Sequence, residues 1–161
     1  MEDLKVIIFF YMIQSLLMIL TGLKFFSVKY KTKNVLVPVF VFGLVIWLVR
    51  KLYIYFQIPL GTHTLVLLVL FCVILRIFFR LNITYILGIA FLDFSLVMLG
   101  GGLTVYFYKI FNVQPEFVLD HAWMHILMGQ VENIFLIILL LILELFNISI
   151  FKIMRKIEEN R

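Results

Sequence analysis

The chain has 161 residues, 65% of them hydrophobic and 14% charged, and a net charge of +5. Soluble domains keep about half their residues apolar and about a quarter charged, so this composition excludes an ordinary soluble fold and predicts an all-α, polytopic integral membrane protein. At roughly 20 apolar residues per crossing there is room for about five helices and no separate soluble domain. Residues 1–161 are therefore expected to form a single membrane domain.

The first predicted span covers about residues 4–22. It follows acidic Glu2 and Asp3 and lacks a small-residue cleavage site, so it reads as a retained, plain hydrophobic helix rather than a removed signal peptide. Lys24, Lys29, Lys31 and Lys33 crowd the next connection and mark it as cytoplasmic, because such loops are costly to translocate. Span two, about 34–53, carries Pro38 in its first turns and Gly43 near its middle. Pro59 and Gly61 punctuate the turn that follows, and His63 stands at the mouth of span three, about 62–79, which Arg76 and Arg80 close. Span four, about 83–107, holds Asp93 near its middle and then Gly100, Gly101 and Gly102. Each glycine costs a helix about 1 kcal/mol relative to alanine, so the run implies close approach of a neighbour or a break. The longest outer loop contains Lys109, Pro115, Glu116 and Asp120. Span five, about 122–149, then runs into a charged helical tail at 150–161.

Charge tests this five-span topology. The inner face would hold Lys24, Lys29, Lys31, Lys33, Arg76, Arg80, Lys152, Arg155, Lys156 and Arg161, which is ten of fourteen cations, and so the amino terminus is expected outside and the carboxyl terminus in the cytoplasm. Trp47, Trp123, Tyr53, Tyr55 and Tyr106 fall near outer span ends, as interfacial anchors do. The cations flank apolar runs rather than clustering on a polar fold, which excludes nucleic acid as a partner and leaves the lipid bilayer as the first one. Cys72, the single cysteine, reads as a small buried hydrophobe.

Intramembrane ionisable residues are candidate functional groups, since a charge at a helix centre costs about 2.5 to 3.5 kcal/mol. Arg50, Asp93, Glu132 and Glu144 qualify. Arg50 sits at the face other cations avoid. Either it snorkels to the outer headgroups or a carboxylate neutralises it, and by depth Glu132 suits it better than Asp93. At 100° per residue, His121, His125 and Glu132 share the outer half of one face of span five, whereas Gln130 and Glu144 share another. Histidines at i and i+4 can ligate a metal, with His63 as a further donor, but HxxxH alone is a weak signal and interfacial hydrogen bonding is the simpler role. No metal or other cofactor is expected. Asp93, Gly100 and Thr104 share a face of span four, as a packing seam or as a cavity floored by Asp93; packing is favoured. Phosphate-loop, Cys-x-x-Cys, nucleophile-elbow and HExxH motifs are all absent from the sequence, so an enzyme is not expected.

Three features together, the Lys-rich first loop, FGLVIWLVRKLYIYFQIPLGTHTL across spans two and three, and the exit through FKIMRKIEENR, resemble one family. They are similar to the amino-terminal multi-span sensor region of Gram-positive histidine kinases of the quorum-sensing and sporulation type. The resemblance implies a bacterial cell-membrane sensor whose last span passes a signal to a cytoplasmic helix. It also implies a two-component kinase partner, because residues 1–161 contain neither a phospho-accepting helix nor an ATP site. Ile150, Ile153 and Ile157 recur at i, i+3 and i+7, which would let two tails pair as a homodimer. The alternatives are a small-molecule transporter or substrate-binding membrane subunit, served by a cytoplasmic ATPase, and a structural or assembly subunit.

Overall fold

The computed structural model describes residues 4–58 and 62–146. Ile150, Ile153 and Ile157, and with them the expected pairing tail, lie outside the described residues. Those that are described form helices and connecting turns, with no strand among them.

In chain order the helices are α1 (Leu4–Phe25), α2 (Thr32–Tyr55), α3 (His63–Phe79), α4 (Ile83–Ile110), α5 (Pro115–Asp120), α6 (Ala122–Glu132) and α7 (Ile134–Leu145). Three of them, α1, α2 and α4, are long and apolar enough to cross a membrane. α3 is apolar but has only 17 residues. α6 and α7 reach spanning length together, but they are bent by 50° where they meet. The expectation of one continuous fifth helix is therefore corrected. The α-helix stops at Glu132, the Asn133 amide bonds back to the Gly129 and Gln130 carbonyls at 3.2 Å each, and a second helix starts at Ile134.

α1 is the hub. It packs against α2, α4, α6 and α7, and 56% of its most apolar window is buried, against 39% for α2 and 33% for α4. Its sequence explains this position, because polar or small residues interrupt the apolar surface where neighbours must approach. Gln14, Ser15 and Thr21 are buried, and the Ser15 hydroxyl donates to the Val39 carbonyl of α2 at 2.9 Å. A hydroxyl in such surroundings needs an acceptor, and a main-chain carbonyl on the next helix supplies one. α1 is also not the plain helix its composition suggests, since Ile7–Met12 is π-helical. The wider turn leaves both Phe10 and Tyr11 fully buried, although adjacent residues of an α-helix lie about 100° apart.

Around this hub α2 packs on α3, α3 on α4, and α4 on α6 and α7. Phe42 of α2, Phe71 of α3 and Phe94 of α4 form an aromatic ladder through the layer, with ring centroids 4.7 and 5.9 Å apart. Aromatic pairs of this kind add about 0.5–1.5 kcal/mol beyond their area. Many large apolar side chains point outward instead, among them Leu36, Phe40, Leu65, Val69, Phe91 and Leu141. Apolar surface this extensive is compatible with a multi-pass membrane protein.

The glycine run of α4 proves to be two kinds of residue. α4 passes through all three without a break, and only Gly100 marks a close approach: a Cβ there would collide with the main chain of Glu132. Nothing lies within 4 Å of the corresponding positions at Gly101 and Gly102. Gly100→Ala should therefore push α4 from α6 and lower the melting temperature of the detergent-purified protein, whereas Gly101→Ala and Gly102→Ala should hold or raise it, each by up to about 1 kcal/mol of helix propensity. Equal losses at all three positions would contradict this packing.

Candidate functional site

Polar side chains from α1, α2, α3 and α6 converge on one cavity of about 180 Å³. Its apolar wall comes from Met18 of α1, Phe42 and Ile46 of α2, Leu67 of α3, and Phe94, Val97 and Met98 of α4; its polar groups are Gln14, Arg50, His63, Thr64 and Glu132. Four helices and the last residue of α6 thus enclose a small apolar volume with one charged side.

The charged side is an ion pair. Arg50 Nη2 lies 3.7 Å from Glu132 Oε2, and the two side chains keep only 20% and 22% of their exposure. At that distance the pair is not the close bidentate fork that arginine and carboxylate can make. The guanidinium is also held between rings, 5.4 Å from the centre of Phe10 and 5.3 Å from that of Tyr11. The π-helical turn puts both rings beside it. Cation–π contacts of this kind are worth about 0.5–2 kcal/mol, more as water is excluded. Arg50 is thus fixed by charge on one side and by aromatic faces on the other, and it does not simply reach for the surface.

Of the residues singled out in the sequence, Arg50, His63 and Glu132 come together here. His63 contributes from the first turn of α3, its ring 5.9 Å from that of Tyr53. His125 stands one layer behind, buried against Phe10 and Tyr11 at ring distances of 5.7 and 6.3 Å. His121 is elsewhere. It caps α6 from an extended conformation, is exposed, stacks on Phe117 at 4.2 Å and donates from Nδ1 to the Phe117 carbonyl at 2.8 Å. The expected shared face of His121, His125 and Glu132 therefore does not form, because the helix begins after His121. Among the described residues no three histidine, cysteine or acidic side chains are grouped to hold a metal ion.

Asp93 is also corrected as a cavity floor. It is fully buried, but its neighbour Phe94 lines the cavity in its place. Its carboxylate lies instead against α1, with Oδ2 2.9 Å from where a Cβ on Gly22 would sit, and neither oxygen has a hydrogen-bond partner among the described residues. Glu144, expected on an inner face of span five, pairs with Lys24 at the far end of α1.

Four contributors escaped the sequence reading. Phe10 and Tyr11 read as ordinary apolar residues, Gln14 as a mild interruption, and Thr64 as part of a helix start. The π-helical turn that buries both Phe10 and Tyr11 needs no particular residue type, so their composition does not reveal it. Gly129 gave a better clue: Phe10 Cδ2 lies 2.5 Å from the position of a Cβ there, so α1 and α6 meet at that glycine.

No family model, curated protein or solved structure matches the chain.

Removing one partner of a desolvated pair leaves the other uncompensated, which costs more than replacing both. Arg50→Met and Glu132→Leu should each destabilise the protein by about 1–3 kcal/mol, a range reduced for partial exposure, and the double variant should recover at least half the loss. Denaturation of the four proteins in one detergent measures this cycle; strictly additive losses would show that the pair is not coupled.

Proposed function

We propose that the chain is a membrane-embedded sensor module, with five crossings, its amino terminus outside and its carboxyl terminus in the cytoplasm of a bacterial cell. The observation that carries this reading is an adjacency. Glu132, which faces the cavity and pairs with Arg50, is also the last residue of α6, immediately before the 50° bend. A ligand that competes for either charge alters the pair, and the pair abuts the hinge. Beyond the bend α7 runs to Glu144, where Lys24 ties it to α1, and then towards the charged tail. Stimulus and output would thus be connected by one element with two orientations.

Binding shifts such an equilibrium only by its difference in affinity for the two arrangements, tenfold for each 1.4 kcal/mol. An ion pair 3.7 Å apart suits this role, because it is close enough to hold one arrangement and loose enough to exchange partners. Resemblance to the sensor regions of histidine kinases supports the same assignment and supplies the expected partner, a cytoplasmic kinase. The module itself would be non-catalytic. A second reading, a transport or substrate-binding subunit coupled to an ATPase, draws on the same cavity but assigns no role to the bend.

Two measurements separate these readings. Leu127 and Leu141, exposed on α6 and α7, take spin labels in a Cys72→Ser background without touching the cavity. The distance distribution between them in lipid nanodiscs should move when Glu132→Ala breaks the pair. An unchanged distribution would remove the hinge, and with it the sensor reading. For the tail, truncation before Lys152 should abolish crosslinked dimers, and persistence of those dimers would eliminate its pairing role.

A further inference from the structure

The cavity constrains its ligand more narrowly than the sensor reading requires. A protein cavity of about 150 Å³ accepts benzene, so these 180 Å³ take a body of about six to ten non-hydrogen atoms. Most of the wall is aliphatic or aromatic, so the ligand has an apolar body. The remaining lining presents one cation and one anion together, with Gln14, His63 and Thr64 as its further polar side chains.

Charge balance then selects among small amphiphiles. A lone carboxylate drawn to Arg50 would displace Glu132 and leave it uncompensated in a desolvated place; a lone ammonium drawn to Glu132 would draw that carboxylate off Arg50, which keeps only its other contacts, the Phe10 and Tyr11 rings among them. Either loses part of what it gains, because a buried charge that loses its counter-charge is costly. A molecule carrying both charges on one carbon keeps both protein groups paired. It can lie alongside the pair, carboxylate to guanidinium and ammonium to carboxylate, while Arg50 and Glu132 stay 3.7 Å apart.

We propose that this cavity binds a free α-amino acid with an aliphatic side chain of valine to leucine size. The α-carboxylate meets Arg50, the α-ammonium meets Glu132 with the Gln14 carbonyl oxygen as a second acceptor, and the side chain enters the space between Phe42, Ile46, Leu67 and Phe94. Selectivity comes from both ends. Glycine and alanine would leave the apolar part empty, and tryptophan exceeds the volume. The proposal names the ligand class for the site of the sensor reading and rests on that site, though not on the bend that carries the signal.

The test uses the full chain in lipid nanodiscs and reads thermal stabilisation and calorimetric binding. L-leucine should give a saturable shift. 4-Methylpentanoate, which lacks the ammonium, and 3-methylbutylamine, which lacks the carboxylate, should bind at least tenfold more weakly, as should glycine and L-tryptophan. Glu132→Gln should weaken leucine at least tenfold. Val97→Phe, which fills the cavity without touching the ion pair, should abolish binding and guards against a misfolded charge variant. Equal binding of 4-methylpentanoate and leucine would overturn the zwitterion requirement, and no saturable shift with valine, isoleucine or leucine would overturn the proposal. Leucine binding without any change in the α6–α7 distance would leave the ligand assignment standing and remove the sensor reading instead.

Discussion

A main-chain carbonyl that leaves the regular helical ladder needs another donor, and this constraint governs where the bundle can depart from α-helical geometry. Among the described residues two departures, the π-helical turn Ile7–Met12 and the α6–α7 bend, are joined by a hydrogen bond. The Gln130 side chain donates from Nε2 to the Phe9 carbonyl at 2.7 Å, so a group from the edge of the bend satisfies an acceptor in the π-helical turn. Backbone groups freed from a regular helix are stable where other protein groups answer them. Asn133, fully buried at the bend, adds a longer contact from Nδ2 to Gln130 Oε1 at 3.5 Å. The irregular turns are thus one feature built from two helices far apart in sequence.

This feature explains why the charged groups sit where they do. The π-helical turn presents Phe10 and Tyr11 to the Arg50 guanidinium, and the end of α6 presents Glu132 to the same group. Moving either departure by one residue would rotate these partners away, by about 100° in an α-helix. At the opposite end of the bundle the Lys24–Glu144 pair is exposed on its glutamate side, at 63%, and such pairs contribute little to stability. The Lys24–Glu144 pair is thus a contact that can be exchanged at small cost, whereas Arg50 is held beside Glu132 by aromatic faces as well.

Helix positions were largely legible in the sequence, because apolar run length and flanking lysines and arginines follow directly from the solvent the helices must match. The Arg50–Glu132 pairing was legible in part: the sequence left snorkelling of Arg50 equally open, and depth favoured Glu132 over Asp93 as its carboxylate. The bend was not. IFLIILLLILEL continues the apolar run without proline, and the buried Asn133 looks like any polar residue near a span, so composition carries no trace of the break. Nor does a π-helical turn, whose changed bonding needs no particular residue type. Asp93 follows the favoured expectation of a packing seam rather than the alternative of a cavity floor. Its spacing with Gly100 and Thr104 does place all three on a buried face, but α1 and α6 cover that face and the cavity opens one residue further round.

The shortness of α3 has a mechanical consequence. At about 1.5 Å per residue its 17 residues rise about 26 Å, roughly 4 Å less than a hydrocarbon layer of about 30 Å, whereas the 28 residues of its neighbour α4 rise about 42 Å. Set in a bilayer, the bundle has one flank too short for the membrane and one too long. Such mismatch is taken up by local thinning, tilting or snorkelling of flanking residues, at a cost of fractions of a kcal/mol per ångström. The first turn of the short helix is also the one that supplies His63 and Thr64 to the lining of the cavity.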